Sequence, residues 1–340
     1  MAKQEFSVAI LGATGAVGEA LIEILEEREF PVSDLHLLAS ERSAGKRIQF
    51  RGKHLKVENV EEFDFSVADI GLFSAGGSVS EKYAPLAADA GCVVIDNTSK
   101  FRYEDDIPLI VPEVNANRLD EYKNRNIIAN PNCSTIQMML ALKPIHDAVG
   151  ISRVNVATYQ AVSGAGAGGI RELAAQTANL LNTKPIESNV MPVQIAFNAI
   201  PQIAEFMDND YTLEEMKMVW ETKKILESEN ILVNPTCVRI PVFYGHSEAV
   251  HIETNEAISK ARAEELLESA PGVKLFRDNG YPTAVTEAAG QDPVYIGRVR
   301  EDISCENGLN MWVVSDNVRK GAALNSVQIA ELLKDFLSAV

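Results

Sequence analysis

One cysteine lies in a sequence context that favours nucleophilic chemistry. The segment NPNCST, residues 130–135, joins an apolar stretch that ends at Ala129 to an apolar pattern with helical spacing from Ile136 onward. We therefore expect Cys133 at a strand-to-helix turn, where free N–H groups and the helix dipole favour the thiolate. Asn132 can cap this helix or donate a hydrogen bond. Taken alone, the pattern also fits a buried cysteine beside a turn, because free cysteine usually behaves as a small hydrophobic residue.

Two other side chains, close together in the sequence, could complete a site of this kind. Arg239 lies in an apolar, strand-like run, and His246 follows it around Gly245, so we expect both on one local unit. A histidine beside a glycine bend that also carries an arginine is a good acid/base candidate, whereas a lone histidine is usually structural. No histidine spacing in the chain indicates a metal site. Gln160, near the end of a predicted strand, can both donate and accept hydrogen bonds and could orient a substrate.

Three further charged residues are candidates for substrate contacts. Arg102 follows a buried strand, near the carboxyl end where ligands bind in open α/β sheets. Glu221 and Lys224 are one turn apart on a helix predicted over residues 213–229, and without other evidence they are best interpreted as a surface ion pair. The formal net charge of −17 repels anions, so an anionic substrate would need a few local cations.

The first forty residues have the order of a dinucleotide-binding unit. A buried strand over residues 7–11 runs into GATGAVG, with Gly12, Thr14, Gly15, Ala16 and Val17, and then into a helix. Such glycines let the backbone approach a pyrophosphate at the helix N-terminus. The GxxGxxG spacing differs from the commonest fingerprint, and it also fits a merely tight βα turn.

The loop after the second strand bears on the choice of nucleotide. Arg42 and Ser43 suit the 2′-phosphate of NADP, while Glu41 is a contrary sign and Arg42 could also be an ordinary exposed cation. Small residues, Gly76 among them, follow a strand region predicted over residues 65–74. We expect the cofactor to pass close to them.

The elements that must position these residues predict two domains in this chain of 340 residues. Strands alternate with helices in the first part, with the last strand regions at 109–115 and 127–129, which predicts a Rossmann-type doubly wound parallel sheet. A glycine-rich segment over residues 163–169 is expected to form a loop over the active site. An amphipathic helix over residues 322–339 is expected to pack back on the first domain and to place Asn317 near the cofactor. We therefore predict an NADP-binding domain of residues 1–131 with 318–340, and an α+β catalytic and dimerisation domain of residues 132–317.

Composition excludes several classes of protein. The four cysteines include no CxxC pair, which is typical of a reducing compartment rather than a disulfide framework. No signal peptide or membrane-spanning run is evident, and the acidic balance argues against nucleic acid as a partner. We expect a cytoplasmic protein that acts on a small molecule and forms a homodimer or a dimer of dimers.

Nearly end to end, the chain resembles aspartate-β-semialdehyde dehydrogenase of the bacterial type. The segments that carry the resemblance are GATGAVG, NPNCST, TYQAVSGAG, WETKK, the stretch from 239 to 246, and DNVRKGAALN. In the biosynthetic direction this family reduces 4-phospho-L-aspartate with NADPH to aspartate semialdehyde and phosphate, on the route to lysine, threonine and methionine.

The resemblance implies a role for each candidate residue. Cys133 would be the nucleophile, His246 the acid/base, and Gln160 would position the intermediate. Arg239 would bind the substrate carboxylate and Glu221 the substrate amine. The remaining matches are the phosphate-site cations Arg102 and Lys224, and the NADP contacts Thr14, Gly15, Ala16, Val17, Arg42, Ser43, Ser163, Gly164 and Asn317.

Three alternatives compete with this resemblance. A sister acyl-phosphate reductase, such as N-acetyl-γ-glutamyl-phosphate reductase, shares the cysteine chemistry, but its substrate amine is acylated, so an acidic partner such as Glu221 discriminates against it. A glyceraldehyde-phosphate dehydrogenase is less consistent, because the surroundings of its cysteine and histidine differ. A non-catalytic NADPH-binding paralogue would have no need of Cys133, Arg239 and His246 together.

Overall fold

The chain divides into two units in the computed structural model, which describes residues 5–338. The first unit comprises residues 1–132 with 322–340, and the second comprises residues 133–321. Each unit is built on its own β-sheet.

The first unit contains a seven-stranded sheet in the order β3-β4-β2-β1-β5-β6-β7. Neighbouring strands are parallel except for the β3–β4 hairpin at one edge. The inner strands β5 and β6 are buried at every residue, as a parallel sheet covered on both faces requires. The strands are β1 (Phe6–Leu11), β2 (Val32–Ala39), β3 (Arg47–Phe50), β4 (Lys53–Asn59), β5 (Ile70–Phe73), β6 (Val93–Asp96) and β7 (Ile127–Ala129).

The α-helices in the described part of the first unit are α1 (Ala16–Glu27), α2 (Gly77–Asp89), α3 (Pro112–Asn115) and the C-terminal α8 (Leu324–Ser338). The last of these is held by polar contacts as well as by packing. Arg28 donates two hydrogen bonds, of 2.8 and 2.7 Å, to the carboxylate of Glu331 on α8. The buried Asn325 amide donates to Asn130 Oδ1 at 2.7 Å. The end of the chain is thereby joined to the segment that leads into Cys133.

Two strand predictions in this unit are wrong in part. Residues 109–115 contribute only an isolated bridge between Leu109 and Ala129, and the segment then turns into α3 at Pro112. Proline lacks an N–H and is well suited to the first position of a helix. The strand predicted over residues 65–74 is confined to β5, since a 3₁₀ turn occupies Phe65–Val67. The β3–β4 hairpin was not predicted.

The second unit contains a six-stranded mixed sheet in the order β11-β12-β13-β10-β8-β9. Antiparallel pairing joins β8 to β10, β10 to β13 and β13 to β12. The edge strands are parallel to their neighbours, β9 to β8 and β11 to β12. With the parallel sheet of the first unit, this confirms the predicted fold class. The strands are β8 (Ile151–Gln160), β9 (Leu232–Arg239), β10 (His246–Thr254), β11 (Val273–Leu275), β12 (Val294–Glu301) and β13 (Gly308–Ser315). The helices are α4 (Cys133–Val149), α5 (Gly166–Leu181), α6 (Leu213–Leu226) and α7 (Lys260–Ser269).

The described helices include none that is both long and apolar enough to cross a membrane.

Gly18, in the first turn of α1, packs directly on the glycine turn that precedes it. A Cβ at this position would lie 2.2 Å from the carbonyl oxygen of Gly12. Gly18→Ala should therefore lower the free energy of unfolding by about 1–3 kcal/mol, because the backbone must shift to relieve the overlap. Urea denaturation followed by circular dichroism measures this. Gly77→Ala in the first turn of α2 is the matched control, because nothing lies within 4 Å of its added Cβ. Equal stability of the two variants would contradict the prediction.

Candidate active site

Cys133 is the first residue of α4, which confirms the predicted strand-to-helix position of this cysteine. Its side chain is partly exposed, whereas Cys92 and Cys237 are buried. Burial raises the pKa of Cys92 to about 12 and also raises the pKa of Cys237. Those two thiols are therefore poor nucleophiles, while Cys133 lies at a helix N-terminus that favours an anion.

The register of three neighbouring strands sets Arg239, Gln160 and His246 in one row. Gln160 on β8 is paired with Arg239 on β9. On the other side of β8, Tyr159 is paired with Ser247, which places His246 opposite Gln160 one residue on. Gln160 Nε2 lies 3.4 Å from His246 Nε2. Arg239 and His246 thus belong to two strands with β8 between them, so the expectation of one local unit around Gly245 is wrong.

His246 is fully buried, and its environment fixes the form of the neutral ring. The backbone N–H of Ala161 donates to His246 Nδ1 at 3.0 Å. A backbone N–H can only donate, so Nδ1 is an acceptor and the neutral ring carries its proton on Nε2. Burial, followed by the positive charge of Arg239, lowers the pKa of His246 to about 3. At neutral pH the resting side chain is therefore a neutral imidazole that can donate a hydrogen bond from Nε2.

Glu214 is a member of this cluster that was not predicted from the sequence. It is buried in the first turn of α6, and its Oε1 accepts a hydrogen bond from Gln160 Nε2 at 3.1 Å. Because a carboxylate can only accept, this contact fixes which end of the Gln160 amide is nitrogen. Burial lowers the pKa of Arg239, and the negative charges of Glu214 and Cys133 oppose that shift. The site thus pairs its buried cation with acidic groups.

The predicted pair Glu221 and Lys224 lies further along α6. Glu221 is fully buried and Lys224 is partly exposed. The interpretation of the two as an ordinary surface ion pair is therefore wrong, since a buried carboxylate requires compensation.

Hydrogen bonds join three turns that lie next to the row of Arg239, Gln160 and His246. The Asn317 amide and the Ser163 hydroxyl exchange hydrogen bonds of 3.1 and 2.9 Å. Asn317 Oδ1 also accepts from the N–H of Gly245 at 2.9 Å, directly before His246. The predicted glycine-rich loop is wrong in its extent, because a 3₁₀ turn covers Val162–Ala165 and α5 begins at Gly166.

Two glycines leave room for the side chains of Arg239 and Cys133. A Cβ on Gly164 would lie 2.8 Å from Arg239 Nη1, and one on Gly321 would lie 2.8 Å from Cys133 Cβ. Gly164 was predicted as a cofactor contact, whereas Gly321 was not singled out. Both positions must stay free of a side chain for the guanidinium and the thiol to occupy their places.

In the first unit, a cleft of about 730 Å³ opens beside the glycine turn. Its lining includes Gly12, Thr14, Gly15, Arg42 and Ser43, with Glu41 on the same wall. Gly12 has a φ of +95°, and a Cβ there would lie 2.9 Å from Ser74 Oγ, so the backbone comes unusually close to the neighbouring strand end. The predicted contacts Ala16 and Val17 are the first residues of α1, and Gly76 precedes α2 with a φ of +100°.

This cleft fits a dinucleotide. Gly15 precedes α1 in an extended conformation, so the N–H groups of the first turn are available to a phosphate and the dipole favours it. Arg42 and Ser43 lie in a short 3₁₀ turn after β2. In Rossmann folds, residues near this position contact the ribose that carries the 2′-hydroxyl of NAD or the 2′-phosphate of NADP.

Arg102 is held by the turn that follows β6. The guanidinium is buried, and its Nη2 donates to the carbonyl oxygen of Asn97 at 2.8 Å. The same turn is anchored by Asp96, which accepts from Ser80 Oγ at 2.7 Å and from Thr98 Oγ1 at 2.6 Å. Within residues 5–338, no group of three or more His, Cys, Asp or Glu side chains could hold a metal ion.

Family models and known proteins agree on the relationship. The model described as semialdehyde dehydrogenase, NAD binding domain, matches residues 7–122, and the model described as semialdehyde dehydrogenase, dimerisation domain, matches residues 142–320. The chain is 65% identical over 330 residues to aspartate-semialdehyde dehydrogenase 2 of Vibrio cholerae, covering 97% of this chain and 98% of that protein.

Solved structures match over the same length. Aspartate semialdehyde dehydrogenase II from Vibrio cholerae, crystallised as a complex with ASA, has a TM-score of 0.97 at 65% identity, covering 97% of this chain and 98% of that one. Aspartate semialdehyde dehydrogenase with NADP from Candida albicans has a TM-score of 0.76 at 26% identity, with 97% and 98% coverage. The chain belongs to the aspartate-semialdehyde dehydrogenase family.

Proposed function

We propose that the chain catalyses the reductive dephosphorylation of 4-phospho-L-aspartate to L-aspartate 4-semialdehyde and phosphate, with NADPH as the reductant. The observation that carries this proposal is the grouping of Arg239, Gln160 and His246 in one row of the second unit, with Cys133 acting electrostatically on Arg239. Family membership over nearly the whole chain supports the same activity.

Cys133 is proposed as the nucleophile that divides the reaction into two steps. The thiolate attacks the acyl carbon, the carbon–oxygen bond to phosphate breaks, and a thioester forms on Cys133. A helix N-terminus and the nearby guanidinium of Arg239 both favour the thiolate. NADPH, when bound, would supply the hydride that reduces the acyl carbon. Carbon–sulfur cleavage then returns the thiolate and releases the aldehyde.

His246 is proposed to stabilise the tetrahedral oxygen that develops in each step. The neutral ring with its proton on Nε2 donates a hydrogen bond without the need to ionise, as neutral histidines do in other enzymes. The backbone N–H of Cys133 and the side chain of Asn132 are the further donors that we propose. The acid/base role expected from the sequence stays a prediction, since a ring that is protonated on Nε2 and paired at Nδ1 must change its tautomer or lose that pairing before it can take up a proton.

Substrate recognition is assigned to charged groups that are at least partly buried. Arg239 offers a planar guanidinium for bidentate contact with the substrate carboxylate, which lysine would not reproduce. Glu221, buried on α6, is the proposed acceptor for the free substrate amine, which favours aspartyl phosphate over an N-acylated substrate. Lys224 and Arg102 remain the proposed cations for phosphate.

The first unit is proposed as the NADP-binding domain, and the second as the catalytic and dimerisation domain. Thr14, Gly15, Arg42 and Ser43 line the cleft that fits the dinucleotide. Ser163, Gly164 and Asn317 of the second unit stay proposed cofactor contacts. A cytoplasmic homodimer, or a dimer of dimers, is the proposed working form.

Replacement of the nucleophile separates catalysis from cofactor binding. Cys133→Ala should abolish turnover while the dissociation constant for NADPH stays within about threefold, because the thiol is not part of the dinucleotide cleft. A phosphate-dependent assay with aspartate semialdehyde measures turnover, and fluorescence titration measures binding. Cys305→Ala is the control and should remain active. Turnover above a few per cent in Cys133→Ala would remove this residue from the mechanism, and an inactive wild-type protein would favour a non-catalytic paralogue.

The ionisation of His246 can be followed in the free protein. Because burial lowers its pKa to about 3, its ¹⁵N signals should keep the Nε2-protonated pattern between about pH 8 and about pH 5. Comparison with His246→Asn assigns the signals. A midpoint near about pH 6.5 would contradict the neutral donor.

The same pKa makes His246 a source of acid sensitivity. The unfolded ring binds a proton near about pH 6.5 and the folded ring does not, so the free energy of unfolding falls as pH drops through that value. Between about pH 6.5 and about pH 5, wild type should lose ~2 kcal/mol more than His246→Asn does. Denaturant titrations at a series of pH values measure the difference, and parallel curves would contradict it.

The preference for NADP⁺ over NAD⁺ is tested by replacing Arg42, the proposed contact of the 2′-phosphate. Arg42→Ala should lower kcat/KM for NADP⁺ by roughly 10-fold or more while kcat/KM for NAD⁺ changes little, since a charge-assisted contact to the 2′-phosphate is lost. Lys46→Ala, outside the lining of the cleft, serves as the control for loss of a loop cation. An unchanged ratio of NADP⁺ to NAD⁺ efficiency would clear Arg42 of this role.

A further inference from the structure

A buried carboxyl group lies two residues beyond His246 on β10. Glu248 and His246 are both fully buried, and their spacing directs both side chains to the same face of the sheet. Neither carboxyl oxygen of Glu248 has a hydrogen-bond partner. An ionised carboxylate that is buried and unpaired is strongly unfavourable, so this group needs another form or another partner.

Gln137 has the complementary arrangement on α4. It follows Cys133 by four residues, which places the two side chains one above the other on the helix. Its Nε2 donates to the carbonyl oxygen of His246 at 3.5 Å, while its Oε1 is buried without a partner. Gln137 therefore connects the helix that begins with the nucleophile to the strand that begins with the histidine.

Among the described residues, Gln137 is the side chain that acts electrostatically on the Glu248 carboxyl. On the sheet, Glu248 is paired with Thr158 on β8 and Val313 on β13, and Thr158 is paired in turn with Cys237 on β9. Cys237 is the other titratable group of this row, and burial raises the pKa of its thiol, so it brings no charge to Glu248. Burial raises the pKa of Glu248 well above its usual value, opposed by the amide of Gln137.

We propose that Glu248 carries a proton and donates it in a hydrogen bond to Gln137 Oε1, so that the pair sets the position of His246 relative to Cys133. A carboxylate and an amide oxygen are both acceptors, and the proton is what satisfies them together. Gln137 Nε2 then keeps its contact with the His246 carbonyl. Glu248 touches neither substrate nor cofactor, so it is a positioning residue, and its role in the reaction rests on the proposed functions of Cys133 and His246.

Three single variants test whether Glu248 acts as a neutral hydrogen-bond donor, as a charged carboxylate or only as a side chain that fills space. Glu248→Gln keeps a donor of the same shape, and its kcat should stay within about threefold of wild type. Glu248→Leu removes the donor, and kcat should fall about 10- to 100-fold with little change in KM, because the reacting groups are displaced rather than lost. Val250→Ala, on the same buried face of β10, is the matched packing control and should keep its kcat. Loss of kcat in Glu248→Gln equal to that in Glu248→Leu would overturn the proposal.

A double variant guards against a misfolded single variant. Gln137→Leu combined with Glu248→Leu removes both unsatisfied groups, so its melting temperature should recover relative to Glu248→Leu. Its kcat should nevertheless remain low, since nothing then holds the His246 carbonyl to α4. A double variant with wild-type kcat would show a purely structural pair and overturn the proposal.

The proton itself is tested without any assay of activity. The unfolded glutamate ionises near about pH 4.3, whereas the folded one keeps its proton, so wild type should become less stable than Glu248→Gln as pH rises above that value. The difference in melting temperature between the two should grow from about pH 5 to about pH 8. A constant difference would mean that Glu248 is ionised in the folded protein and would overturn the proposal even if the enzyme is active, whereas failure of the proposed function would leave this result unaltered.

Discussion

The hydrogen-bond register of β8 with its two neighbours is the constraint on which the second unit depends. Parallel pairing with β9 and antiparallel pairing with β10 bring three polar side chains level with one another. A slip of β8 by one residue would turn Gln160 to the opposite face of the sheet, away from Arg239 and His246. Register thus decides which polar groups meet in the candidate site, because it brings a guanidinium, an amide and an imidazole onto one row.

Burial of that row explains its electrostatics. Low-dielectric surroundings disfavour every buried charge, and the negative charge of Glu214 stabilises the buried cation of Arg239. The His246 ring is neutral and is held by a hydrogen bond from a main-chain N–H. The overall charge of −17 contributes little at such distances, since salt screens the exposed carboxylates beyond about 10 Å. Anion binding by an acidic protein is therefore a matter of a few buried groups.

The sequence allowed the fold class and the position of Cys133 to be predicted, because both follow from local patterns. A strand, a glycine turn and a helix occur in order, and NPNCST leads directly into an apolar helix. Glu214 and Gly321 could not be found in this way. The contact of Glu214 with Gln160 joins positions 54 residues apart, and that of Gly321 with Cys133 depends on how the chain end of the second unit returns to α4. The placement of Arg239 and His246 on separate strands was missed for a similar reason. Only six residues separate the two in the sequence, and the strand that lies between them in the sheet, β8, comes from an earlier part of the chain.

The two buried thiols bear on how this protein meets oxidants and electrophilic drugs. With a pKa of about 12, Cys92 exists as thiolate in roughly one molecule in 10⁵ at pH 7, and it has almost no reactivity toward peroxide or soft electrophiles. Cys237 is protected by the same burial. Chemical damage and covalent inhibition would therefore concentrate on the partly exposed Cys133 and Cys305, and of these two Cys133 lies at a helix N-terminus that favours the thiolate.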